Sequence, residues 1–178
     1  MEIVFAGFGG QGVLTSGLIV AYTALKEDNR VMWSPAYGGA MRGGKAFSVV
    51  KYSKEKITAP AITRPDVVVA MNKPSLDFAV QLKDDGILIV NSDVVEEDAE
   101  IKFKGKVLRV PINRLAIEAT GRGQASNVVS VGVIMKQTGA FDKDTAIKNM
   151  KLFFEEKGKG KYNDDNEKAF LAGYNYEF

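Results

Sequence analysis

Gly7, Gly9 and Gly12 fall in the spacing G-x-G-x-x-G, within Gly7-Phe8-Gly9-Gly10-Gln11-Gly12, after an apolar run and before a helical pattern. Small residues there let backbone amides approach a phosphate at the positive end of a helix. The turn is therefore a candidate anion site. A dinucleotide site needs a second feature, an Asp or Glu at the tip of the second strand to hold ribose hydroxyls. That tip reads Ser34-Pro35-Ala36-Tyr37, while Glu27 and Asp28 precede the strand at its wrong end. The NAD(P) reading lacks its second half, which favours a tight turn that packs a partner or meets another phosphate ligand.

The second unusual segment is Tyr37-Gly38-Gly39-Ala40-Met41-Arg42-Gly43-Gly44. Its four glycines are entropically costly to order, yet they frame an Arg suited to bidentate pairing with phosphate or carboxylate. Pairing of Arg42 with an acid on a neighbouring helix is the competing reading. Residues 39–46 also come close to a P-loop. However, Ala46 stands where the magnesium-holding hydroxyl belongs, and a strand pattern follows where a P-loop has a helix. Asp84, Asp85, Asp93, Glu96, Glu97 and Asp98 read as charges on a solvated face rather than a metal site. Asp85-Gly86 followed by Asn91 lacks the preceding Gly and the long spacer of a magnesium-diphosphate motif. Asn127, in an otherwise apolar helix, either caps the first turn or bonds across an interface.

Composition narrows the chemistry further. With no Cys there is no disulfide, thiolate nucleophile or cysteine-ligated cluster. With no His there is no Ser–His–Asp triad and no usual zinc site. A net charge of +2 does not suggest nucleic acid or an anionic membrane as partner. The N-terminus has no basic leader region, and no stretch approaches the roughly 20 apolar residues of a spanning helix. A cytoplasmic protein is expected.

The elements that must position these residues follow from periodicity. Strands are expected at 3–6, 30–34, 46–53, 67–71, 87–90 and 107–110. Helices are expected from the glycine turn to about Lys26, at 74–82, 112–119, 125–138 and 142–156, and from about Asp164 to Ala172. Strands alternating with helices predict an α/β fold: a three-layer α/β/α, Rossmann-like single domain over 1–178 with a mostly parallel sheet. The half-polar 46–53 strand is expected to be its antiparallel edge strand. Lys157 to Lys161 reads as a solvated loop between helices.

Read in order, several segments resemble one family. They are Gly7 to Val13, Tyr37-Gly38 through Met41-Arg42-Gly43-Gly44, Ile57-Thr58-Ala59-Pro60, Pro65-Asp66, Met71 to Asp77, Gly86 to Asn91, Asn127, Gly132 and Lys168 to Tyr174. Together they resemble the gamma subunit of the 2-oxoacid:ferredoxin oxidoreductases, over nearly the whole chain. The resemblance implies a complex in which thiamine diphosphate with magnesium attacks a 2-oxoacid and carbon dioxide leaves. Electrons then pass through 4Fe-4S clusters to ferredoxin, and coenzyme A takes the acyl group. It implies alpha, beta and ferredoxin-like delta subunits, or fused equivalents, that carry the thiamine and cluster sites. The gamma part, without catalytic residues of its own, would help form the coenzyme A access region.

Carried over residue by residue, the candidate coenzyme A or partner contacts are Gly7, Gly9, Gly10, Gln11, Gly12, Tyr37, Gly38, Met41, Arg42, Gly43 and Gly44. Gly39-Ala40 replaces a Pro-Glu common in the family, so no carboxylate role is expected there. Two other readings stand beside this one: a self-sufficient NAD(P)-binding oxidoreductase, and a ligand-sensing or scaffold module.

Overall fold

Four successive apolar side chains, Ile3 to Ala6, point alternately to the two faces of a strand, so both faces must be covered. In the computed structural model, which describes residues 1–38 and 44–178, they are. The chain runs β1 (Glu2–Phe8), α1 (Val13–Lys26), β2 (Arg30–Tyr37), β3 (Lys45–Ser53), β4 (Val67–Ala70), a 3-10 helix (Lys73–Gln81), β5 (Ile87–Asn91), β6 (Lys106–Val110), α2 (Ile112–Thr120), α3 (Ser126–Thr138), α4 (Lys143–Glu156) and α5 (Asn163–Tyr174). The strands form one six-stranded sheet in the order β2-β3-β1-β4-β5-β6. β1, β4, β5 and β6 pair in parallel, and β3 runs antiparallel to both β1 and β2.

Alternation along each strand divides the core in two. Ile3, Phe5, Val67, Val69, Ile89 and Leu108 face a layer built by α1 to α5. Val4, Ala6, Val68, Ala70, Leu88 and Val90 face the other way. That second face is covered by the 3-10 helix and by the irregular connection between β5 and β6, which contributes Val95, Ile101 and Phe103. The third layer is present, but thin.

One expectation needs correction. The 46–53 segment is antiparallel as expected, but it lies one place inside the edge, which belongs to β2. Its polar residues are buried and partnered rather than solvated. Ser48 Oγ donates to the Val13 carbonyl at 2.9 Å, and Lys51 Nζ donates to the Ala61 carbonyl at 2.6 Å and faces Glu2 at 3.3 Å. β2, which contains Pro35, is half exposed along its length, as an edge strand tolerates. The helix expected at 74–82 is present as a 3-10 helix, Lys73–Gln81. Leu76, Ala79 and Leu82 recur every third residue, which aligns them on one face at three residues per turn.

Candidate functional site

The carboxyl ends of β1 and β4 lie side by side, and the chain leaves β1 toward one side of the sheet while β4 begins the other. In open α/β sheets, ligands gather at such a switch point. The strand register brings the two glycine-rich segments together here. Phe8 pairs with Lys45, the Gly9 amide donates to the Gly44 carbonyl at 3.1 Å, and the Gly38 amide donates to the Lys45 carbonyl at 2.6 Å. Tyr37, 66% exposed, stands at the same end of β2. Gly39, Ala40, Met41, Arg42 and Gly43 lie outside the described residues, so the expectations for Met41, Arg42 and Gly43 have no placement.

Gln11 occupies the crevice between β1 and β4. Its Oε1 accepts from the Phe8 amide at 2.7 Å and from Asn72 Nδ2 at 3.2 Å, and its Nε2 donates to the Met71 carbonyl at 3.1 Å. A Cβ on Gly7 would sit 2.6 Å from Gln11 Oε1, so Gly7 makes room for this amide rather than for a phosphate. The Gln11 amide itself donates to the Phe8 carbonyl, closing the turn internally. Asn72 Oδ1 accepts from the Ser75 amide and caps the 3-10 helix. The strand order adds a second obstacle to a dinucleotide. β3 lies between β1 and β2, so the tip of β2 is two strand spacings, about 10 Å, from the turn.

Gly12 ends the turn in the left-handed region, at φ +72°, and begins α1 without a side-chain cap or any acid in the first turn. A Cβ on Gly12 would meet Asn127 Cβ at 2.8 Å. Gly12 therefore serves the backbone turn and the approach of α3 at once. Asn127 does not cap α3, whose start has no side-chain cap bond. The Asn127 carbonyl accepts from Ser16 Oγ at 3.0 Å and Ser130 Oγ at 2.7 Å, which ties the start of α3 to α1.

Beside these residues opens a cup of about 520 Å³, lined by Gly12, Thr15, Arg122, Asn127, Lys159 and Tyr162 among others. Sequence reasoning missed Arg122, Lys159 and Tyr162. Arg122 lies in a short connection, and the Lys157–Lys161 segment reads as an ordinary solvated loop. Only the return of α5 alongside α3 brings them to the N-terminus of α1.

The acidic residues Asp84, Asp85, Asp93, Glu96, Glu97 and Asp98 are exposed. Asp93 accepts from the Arg114 amide at 2.8 Å, and Glu96 pairs with Lys73 at 3.4 Å. Among the described residues no group of acids is arranged to hold a metal. Asp85 and Asn91 flank opposite ends of β5, and the Asn91 amide is occupied by Asn113 and by the Asp93 amide. These residues do not fit a magnesium-diphosphate group. Among the described residues no helix is long and apolar enough to cross a membrane.

Comparison with known proteins covers the same span. Residues 2–176 match the family model for pyruvate ferredoxin/flavodoxin oxidoreductase. The chain is 38% identical over 97% of its length to ketoisovalerate oxidoreductase subunit VorA of Methanothermobacter marburgensis, but spans only 36% of that protein. It is 32% identical to the pyruvate/ketoisovalerate oxidoreductases common subunit gamma of Thermococcus kodakarensis, covering 98% of this chain and 96% of that one. Among solved structures, the gamma subunit of a keto/oxoacid ferredoxin oxidoreductase from Geobacter sulfurreducens superposes with a TM-score of 0.78 at 28% identity, covering 97% of this chain and 95% of the other. The chain thus spans about a third of the first curated relatives it matches and nearly all of others.

Proposed function

The chain belongs to the pyruvate ferredoxin/flavodoxin oxidoreductase family, and from that premise we propose that it is the gamma subunit of a cytoplasmic 2-oxoacid:ferredoxin oxidoreductase. The observation that carries this reading is the nearly end-to-end match with a stand-alone gamma subunit. The complex would oxidatively decarboxylate a 2-oxoacid to an acyl-CoA, with thiamine diphosphate supplying the carbanion chemistry and iron–sulfur clusters the electron path. Alpha, beta and ferredoxin-like delta subunits, or fused equivalents, would carry those groups. Division of labour fits the residues present. This chain has no Cys to ligate a cluster, and the placement of Asp85 and Asn91 does not suit a thiamine diphosphate.

What this chain offers is positioning. The Gly7–Gly12 turn meets Gly44 at the carboxyl end of β1, with Tyr37 and Gly38 at the same end of the sheet, and the turn is held by Gln11. Such an end suits contact with coenzyme A or with a partner subunit: exposed backbone at Gly10 and the exposed Tyr37 ring are free of the core. Arg42 adds a cation suited to coenzyme A phosphates.

The test is purification of the native complex through a tag on this chain, with assay of coenzyme A-dependent oxidation of several 2-oxoacids by a low-potential dye. Thiamine-binding and cysteine-rich partners should co-purify with activity toward at least one 2-oxoacid. Recovery of the chain alone, inert toward every 2-oxoacid, would overturn the reading and leave a ligand-sensing or scaffold module. The NAD(P) alternative is disfavoured by the crevice that Gln11 fills and by the strand inserted between β1 and β2.

A further inference from the structure

We propose that the open edge formed by β2 and the adjoining flank of α1 is a homodimer interface, in which β2 pairs antiparallel with β2 of a second copy about a two-fold axis at Met32. Within the sheet β2 bonds only to β3. The Gly38 amide donates to the Lys45 carbonyl, and bonded pairs in an antiparallel ladder recur at every second residue. Ala36, Ser34 and Met32 therefore bond β3, while Val31, Trp33, Pro35 and Tyr37 turn their backbone groups outward. Pro35, which has no N–H to give, sits at one of the outward positions.

Edge strands that stay unpaired are commonly protected by charge or by a covering element. Here the window from Val31 to Ser34 is uncharged, between Arg30 and Pro35. The helix beside it is apolar on the same side. A Cβ on Gly17 would lie 2.9 Å from Trp33 Nε1, so this flank of α1 faces β2. At 3.6 residues per turn Leu14, Leu18, Ala21 and Leu25 share that flank. Tyr22 and Lys26, on the other flank, reach Glu156 of α4. Leu25 is 59% exposed and Leu14 and Leu18 are half-buried. Among the described residues the principal neighbours of α1 are the sheet, α3 and α4, which leave the leucine flank open.

A second copy fits this edge because the edge complements itself. With Met32 on the axis, Val31 of each copy lies opposite Trp33 of the other, and the two residues exchange N–H and C=O groups. Pro35 then falls opposite position 29, before β2 begins, so its missing donor is not called on. Arg30 falls opposite Ser34, so no like charges meet. A longer strand from a different protein would run against Pro35. Because α1 lies chiefly over β3, the two copies of α1 would stand three strand spacings apart, about 14 Å. They run antiparallel, which sets Leu25 of one copy toward Leu14 and Leu18 of the other. Val31 and Trp33 fill the space between, so apolar burial reinforces the backbone bonds.

The experiment is sedimentation of the full chain, without partner subunits, over a range of concentrations. Its result does not depend on whether any complex oxidises a 2-oxoacid. The native chain should sediment at twice its 19.4 kDa mass. Leu25→Lys changes an exposed side chain and should weaken the dimer by roughly tenfold or more. Ile117→Lys, at a position 53% exposed on α2, should leave the dimer unchanged. Met32→Lys and Met32→Glu each set like charges across the axis and should give monomers, whereas an equal mixture of the two should recover the dimer. Circular dichroism identifies a Met32 variant that does not fold, and Leu25→Lys then carries the test alone. The proposal is overturned if the native chain stays monomeric at submillimolar concentration, which would leave this edge to a different subunit. It is also overturned if Leu25→Lys dimerises as the native chain does, or if the two folded Met32 variants fail to pair when mixed.

Discussion

Gln11 closes its own crevice: one side-chain amide satisfies an amide of the glycine turn and a carbonyl at the end of β4. Replacing it with Glu keeps the acceptor and removes the donor, setting a carboxylate against the Met71 carbonyl. Gln11→Glu should cost about 1–3 kcal/mol at neutral pH, read by urea denaturation. At the opposite end of β1, Glu2 and Lys51 form an ion pair at 3.3 Å, with exposures of 7% and 8%. Glu2 also accepts from the Thr63 amide at 2.8 Å and from its hydroxyl, which ties the 54–66 connection to β1. Lys51→Met leaves a buried carboxylate without its cation and should cost about 3–5 kcal/mol. The double variant Glu2→Gln with Lys51→Met should recover much of that loss, and a double-mutant cycle in urea measures it.

Helix α3 crosses α5 closely enough that a Cβ on Gly132 would overlap the Phe170 carbonyl oxygen, and one on Gly173 the Val129 carbonyl oxygen. Backbone cannot yield as a flexible side chain can. Gly132→Ala should therefore destabilise by about 1–3 kcal/mol or more and lower the melting temperature. On β3, burial and the nearby Asp66 carboxylate hold the Tyr52 phenol well above its ordinary value. A raised phenol keeps its proton in the folded state after the unfolded chain has lost it. Stability is thus fully present below about pH 10, the ordinary tyrosine value, and declines as pH rises above it. Tyr52→Phe should flatten that alkaline decline relative to the native chain, as followed by thermal melts across pH 9 to 11. The elements themselves were mostly legible, because continuous apolar runs marked β1, β4 and β5 and Asp142 marked the start of α4. β3 misled because buried polar side chains with partners leave the same alternation as solvated ones.

At the scale of the molecule, two apolar cores share one sheet, one beneath five α-helices and the other beneath a thin cover. Neither survives without the strands between them. Unfolding should therefore be a single transition in which Trp33 fluorescence and far-ultraviolet circular dichroism coincide, as one domain over 1–178 requires. Separate midpoints would divide the chain into two units.

The amino-acid sequence alone determined the α/β class, the strand–turn–helix at the N-terminus, the exclusion of Cys and His chemistry and the family, because these depend on local periodicity, residue type and ordered motifs. It did not determine the strand order, the filling of the glycine turn by Gln11 or the meeting of Asn127 with Arg122 and Lys159. Those depend on contacts between residues far apart in the chain. A Gln beside a glycine, or an Asn in a helix, has the same local signature whether its amide meets a partner, water or a ligand. Only the tertiary structure brings the surroundings that decide between them.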